Sequence, residues 1–147
     1  MPADLPNELR FPDKAAADKF LSRLSFKSIA GVDEVGRGPM AGPVVAACVL
    51  LPPDHGIVGI RDSKKLSSEK REVLVEQIIS KGFWGIGARD NEEVDRLNIY
   101  RATLRAAEEA VWRCIYTGAA IDYLLCDGGL DLKEVVPFPA TSALNPM

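Results

Sequence analysis

The sequence predicts a single α/β domain built on a mixed sheet, and three observations carry that prediction. Apolar runs of strand length (28–35, 43–51, 82–90 and 121–127) alternate with two longer stretches of helical period, 69–80 and 99–116. Acids close the first and fourth strands, at Asp33-Glu34 and at Asp127, with glycine close behind at Gly36 and Gly128. At 147 residues with 47% hydrophobic composition the chain can bury one core, so a domain at 28–147 with an extension at 1–27 is expected.

The extension contains Pro2, Pro6 and Pro12, which interrupt regular structure, and 13–24 reads as a short helix with Phe20, Leu21 and Leu24 on one face. Ile29 to Val35 starts as an apolar strand, then sets Asp33 and Glu34 side by side before Gly36-Arg37-Gly38-Pro39. Buried carboxylates need a cation or lose their charge. The segment therefore reads as a divalent-metal site beside a phosphate or sugar, against the plainer reading of a surface hairpin with solvated acids.

Pro43 to Leu51 is near-continuous in β-branched and small residues, the pattern of a central strand covered on both faces, and its short connection predicts antiparallel pairing with the first strand. Pro52-Pro53-Asp54-His55-Gly56 turns the chain, and His55, the only histidine, reads as an exposed turn residue. Ser67 or Ser68 caps a helix running to about Ser80 that is expected to bury Leu74, Val75, Ile78 and Ile79. The glycines of the 82–90 strand mark close approach by another element. After a short turn at 92–97, Asn98 caps a helix over 99–116 whose stripe of Ala102, Ala106, Ala110, Val111, Cys114 and Ile115 suits packing on a sheet. The fourth strand ends in Asp127-Gly128-Gly129, and residues 130–147 are expected to add no further element.

If the first and fourth strands are parallel neighbours, Asp33 and Asp127 converge at one end. Glu34 poses a difficulty, because consecutive strand residues face opposite sides; it joins only where the strand bends or ends. Three hard carboxylates without nearby His or Cys favour Mg²⁺ or Mn²⁺. Backbone groups of Gly36, Arg37 and Gly38 can read a ribose 2′-OH, Arg37 can clamp a phosphate, and Ser63 with Lys64 can meet a nucleic-acid backbone, although a Lys-Lys pair at a helix entrance is commonly a solvated face.

Other motifs fail on specifics. Gly31-x₄-Gly36 is followed by Arg37-Gly38 instead of Lys-Ser/Thr, so it is no P-loop. Gly36-x-Gly38 leads into an apolar strand, which excludes a dinucleotide fingerprint, and there is no nucleophile elbow. Cys48, Cys114 and Cys126 are odd in number and widely spaced, which fits a reducing compartment and argues against a disulfide framework. The N-terminus lacks a signal-peptide pattern and no apolar run spans a bilayer, so a cytoplasmic protein is expected. A net charge of −3 makes any nucleic-acid contact local.

Asp33-Glu-Val-Gly-Arg-Gly-Pro39, Asp62-Ser-Lys-Lys-Leu66, Leu97-Asn-Ile99 with its alanine-rich helix, and Cys126-Asp-Gly128 occur in the order seen in bacterial type 2 ribonuclease H (ribonuclease HII), which the chain resembles from about Ile29 to Pro139. The resemblance implies a ribonuclease H-like fold, a five-stranded mixed sheet flanked by helices. It further implies endonucleolytic cleavage of RNA–DNA hybrids and of ribonucleotides embedded in duplex DNA, with Mn²⁺ or Mg²⁺, leaving 3′-OH and 5′-phosphate ends. By motif match Asp33, Glu34 and Asp127 correspond to metal ligands, Gly36, Arg37 and Gly38 to the 2′-OH reader, and Ser63 and Lys64 to backbone contacts. A monomer is expected. Family members continue with a fifth strand, a Lys-Gly-Asp segment and a helix carrying a fourth catalytic acid, none of which Ala140 to Met147 matches, so the C-terminal part of the fold is expected to be missing and activity impaired. Two alternatives to this reading stay open on the same residues, a non-catalytic hybrid-binding remnant and a metal-dependent phosphohydrolase.

Overall fold

A computed structural model describes residues 8–10, 23, 27–35, 42–60, 66–127, 130–133 and 135–144. The expected helix over 13–24 falls outside these residues apart from Arg23. Strands β1 (Glu8–Arg10), β2 (Ile29–Val35), β3 (Val44–Leu50), β4 (Phe83–Arg89), β5 (Tyr123–Asp127) and β6 (Ala140–Leu144) form one sheet in the order β1-β6-β5-β2-β3-β4. β2, β3 and β4 pair antiparallel, and β2, β5, β6 and β1 pair parallel. This is the expected mixed α/β sheet, with the three-residue β1 added at one edge.

Two of these strands depart from the sequence reading. Glu8–Arg10 lies between prolines, yet pairs with Ser142–Leu144. Residues 140–144 were expected to form nothing, but they lie parallel to β5 with Leu124 opposite Ala140 and Asp127 opposite Ala143. Ala-Thr-Ser-Ala-Leu has too little apolar alternation to announce a strand. Its backbone hydrogen bonds come from β5 and β1, partners remote in sequence. Inside the sheet, the Tyr123 hydroxyl donates to Thr141 Oγ1, and both residues are buried.

Helix α1 (Ser68–Lys81) begins as predicted, with Ser67 Oγ accepting the Lys70 N–H at 3.2 Å and Glu69 in its first turn. Its burial does not follow the prediction. No residue of α1 is buried: Leu74 and Ile78 are half-buried, while Val75 and Ile79 stand 51% and 50% exposed. Apolar periodicity marks a helix face but not what covers it, and α1 makes only slight contact with β4. Helix α2 (Asn91–Leu97) is capped by Asp90, whose Oδ1 accepts the Glu93 N–H at 2.9 Å. Asn98 ends α2 and caps α3 (Ile99–Tyr116), its side chain accepting the Arg101 N–H at 3.0 Å. Its φ of 69° lies in the left-handed region, which asparagine enters more readily than most residues.

α3 covers one face of the sheet with Ala102, Ala106, Ala107, Ala110, Val111 and Cys114, all fully buried. The predicted glycine contacts are real. A Cβ on Gly85 would lie 2.3 Å from Ala110 O, and one on Gly87 would lie 2.0 Å from Ala106 O. Opposite α3 stand Ala30 and Val32 of β2, Val44, Ala46 and Cys48 of β3, and Leu124 and Cys126 of β5. Along β3 the other face is less covered: burial alternates, with Ala47 exposed and Val45 and Val49 half-buried, so the expectation of burial on both faces of this strand is corrected. Val35, Trp84 and Ile86 are exposed.

Candidate active site

The site is built where β2 and β5 end together. Their parallel register runs Ile29–Tyr123, Ala30–Leu124, Gly31–Leu125 and Val32–Cys126, so the next residues, Asp33 and Asp127, stand level on adjacent strands. The opposite direction of β3 and β4 brings Val44 and Arg89 to the same end of the sheet, together with the N-terminal half of α3. An acid pair separated by 94 residues in sequence is thus joined by strand pairing alone.

Asp33 and Glu34 divide between the two faces. Ala30 and Val32 point under α3, Gly31 and Asp33 point to the open side, and Glu34 follows the covered side. Asp33 is exposed and its Oδ1 accepts the Glu34 N–H at 2.8 Å. Glu34 is half-buried, with Oε2 closed off from solvent. Burial pushes the Cys126 thiol up to about 12, and the charges of Asp131 and Glu34 add to the rise. Glu34 thus lies on the same helix-covered side of the sheet as Cys126. Asp131 was not singled out from the sequence; its spacing of four residues past Asp127 was the available signal. The acid's Oδ1 accepts the Lys133 N–H at 3.2 Å.

Gly36, Arg37, Gly38, Ser63 and Lys64 lie outside the described residues, and of Asp127 the strand position is described. Among the described residues no three His, Cys, Asp or Glu side chains gather closely enough to hold a metal ion. What fits a metal here is the residue type and strand position of the donors: aspartates suit a hard divalent ion, and Asp33 and Asp127 hold level positions on neighbouring strands. Glu34 remains inside β2, paired with Ala46 and turned to the covered face.

His55 has a turn role. It donates its N–H to Pro52 O at 3.1 Å, and its Nδ1 accepts the Ile57 N–H at 2.8 Å, leaving it half-buried. The three cysteines are buried thiols. Among the described residues no helix is long and apolar enough to cross a membrane.

Residues 30–128 match the family model for ribonuclease HII, a span that contains all three carboxylates. Among solved structures, the chain is similar to the ribonuclease HII in the PCNA:RNase HII complex from Archaeoglobus fulgidus, at 22% identity and a TM-score of 0.63, covering 78% of this chain and 61% of that one. It is similar to ribonuclease H2 from Pyrococcus horikoshii OT3 at 21% identity and a TM-score of 0.57, covering 80% and 62%. Bst-RNase HIII in complex with Mn²⁺ matches at 20% identity and a TM-score of 0.63, covering 88% and 48%. The chain thus spans about half to three-fifths of the length of the structures it matches.

Proposed function

The chain belongs to the ribonuclease HII family, and from that premise we propose that it acts on the RNA strand of RNA–DNA hybrids and on ribonucleotides embedded in duplex DNA, by metal-dependent hydrolysis leaving 5′-phosphate and 3′-OH ends. The observation that carries the reading is the parallel register of β2 and β5, which stands Asp33 and Asp127 level at the strand ends. In this reading Asp33, Glu34 and Asp127 hold Mn²⁺ or Mg²⁺. The bound ions would supply a nucleophilic water at neutral pH and offset charge on the leaving oxygen. The protein's own part is to hold carboxylates at fixed positions on paired strands and to orient the substrate strand. Gly36, Arg37 and Gly38 read the 2′-OH through small-residue backbone, and Arg37, Ser63 and Lys64 meet phosphates. With a net charge of −3, these placed groups carry the duplex contact. Buried free thiols fit a reducing compartment such as the cytoplasm, and the proposed working state is a monomer.

The direct test is incubation with a duplex containing one ribonucleotide and Mn²⁺. Cleavage at the ribonucleotide, absent in Asp33→Asn and absent on all-DNA duplex, is the expected result. Equal cleavage of both duplexes, or none at all, overturns it. The alternative reading of the same residues is hybrid binding without catalysis. Its mark is a preference for hybrid over DNA duplex that survives Asp33→Asn.

A further inference from the structure

We propose that Asp122 is a positioning residue for the carboxylate site, locking β2 and β5 in the register that stands Asp33 beside Asp127; this rests on the metal-site reading above. Asp122 sits one residue before β5, and its carboxylate binds the two residues immediately before β2. Oδ2 accepts the Lys27 N–H at 2.9 Å and Oδ1 accepts the Ser28 N–H at 3.0 Å. In return the Asp122 N–H donates to Ser28 O at 3.1 Å. Two of the three bonds have an ionised acceptor and belong to the stronger class.

The placement relative to the site is symmetrical. Ser28 precedes Asp33 by five residues and Asp122 precedes Asp127 by five, so equal lengths of paired strand separate the clamp from both acids. A strand rises about 3.3 Å per residue, which puts the clamp roughly 16 Å from the carboxylates. Asp122 cannot itself ligate an ion held by them. On β2 the intervening residues, Ile29, Ala30, Gly31 and Val32, have no polar side chain to specify a partner, and a Cβ on Gly31 would meet nothing within 4 Å. Apolar faces favour even-numbered slips as well as the native pairing, and a slip of one residue turns every side chain to the wrong face. The bidentate carboxylate removes that freedom at the start of the pair, and the pairing carries the choice forward to the acids.

Asp122→Ala and Asp122→Asn separate the consequences. Amide hydrogen exchange reads the strand pair directly, and Mn²⁺ affinity, followed by the electron-spin signal of free Mn²⁺, reads the acids. In Asp122→Ala the amides of 30–33 and 124–127 should exchange about tenfold faster or more while the β3–β4 amides keep their protection. Its Mn²⁺ affinity should fall about 10- to 100-fold, the range for residues that orient ligands without touching the ion. Asp122→Asn keeps one acceptor oxygen and should fall between Asp122→Ala and the parent; if the alanine variant does not fold, Asn and Glu at this position carry the test. Unchanged exchange in the β2–β5 pair overturns the clamp. Faster exchange with unchanged Mn²⁺ affinity reduces Asp122 to a purely structural part and overturns positioning. A parent chain that binds Mn²⁺ no better than Asp33→Asn overturns the metal-site reading itself, and the exchange result still shows whether the clamp exists.

Discussion

Asp33 and Glu34 adjoin in sequence but face opposite sides of the sheet, joined by a 2.8 Å hydrogen bond from the Glu34 N–H to Asp33 Oδ1. The exposed acid therefore serves its half-buried neighbour's backbone as well as the proposed ion. Asp33→Asn retains an oxygen for that N–H and removes the charge. Its unfolding free energy should stay within the range of a surface substitution, about 0.5 kcal/mol either way. Cleavage of a ribonucleotide-containing duplex should drop roughly 10²-fold or more, as when a preorganised charge-stabilising group is lost. Loss of stability in parallel with activity would show that Asp33 acts mainly on the fold.

Gly87 lets α3 lie against β4. A methyl there would stand 2.0 Å from Ala106 O, a backbone atom that moves only with the helix. Gly87→Ala should destabilise by roughly 1–3 kcal/mol or more in urea denaturation, the cost of overpacking. Gly31→Ala is the matching control, since its Cβ would meet nothing within 4 Å, and it should be neutral or stabilising by under about 1 kcal/mol. A similar effect at both positions would refute the close-approach argument.

Arg89, at the end of β4, reaches across to α3. Its Nη1 lies 3.0 Å from Glu109 Oε2 and its Nε 3.3 Å from Glu93 Oε2. Burial by itself would push the Glu109 carboxyl up. The hydrogen bond and charge of Arg89 outweigh that effect, with help from the Ala88 N–H and Arg113, and hold it below its usual range. A lowered folded pKa contributes stability above the unfolded value of about 4.3 and loses it as pH falls through the folded value. Arg89→Met should therefore cost about 1 kcal/mol at pH 7, with the gap to the parent closing as pH drops below about 4. Thermal melts of both proteins at neutral and acid pH check this; a gap independent of pH would assign Arg89 to packing.

Thr141 accepts the Tyr123 hydroxyl's hydrogen bond in the interior of the β5–β6 pair. Thr141→Val keeps the shape and removes the partner, so it should cost about 1–3 kcal/mol. Adding Tyr123→Phe should recover part of the loss, because the hydroxyl left behind goes with it. Additive losses in denaturant titrations would mean that the two side chains act separately and that β6 is held by its backbone alone.

Local chemistry alone determined a good part of this protein. Ser67 and Asn98 announce two helix starts because a short polar side chain satisfies a nearby N–H wherever the chain folds next, whereas the Asp90 cap emerged only in the structure. The alanine stripe of α3 and the glycines of β4 announce their contact because only small residues permit it. The motif around Asp33 and Glu34 marked the family, and the antiparallel turn from β2 to β3 followed from a short connection. Tertiary structure decided the rest. α1 shows a helical face that the sheet leaves uncovered, since periodicity carries no information about what lies opposite. β1 and β6 are strands because partners distant in sequence supply their hydrogen bonds. The level pairing of Asp33 with Asp127, and the Asp122 clamp five residues before both, exist because parallel strands take their register from side-chain contacts across 94 residues of chain.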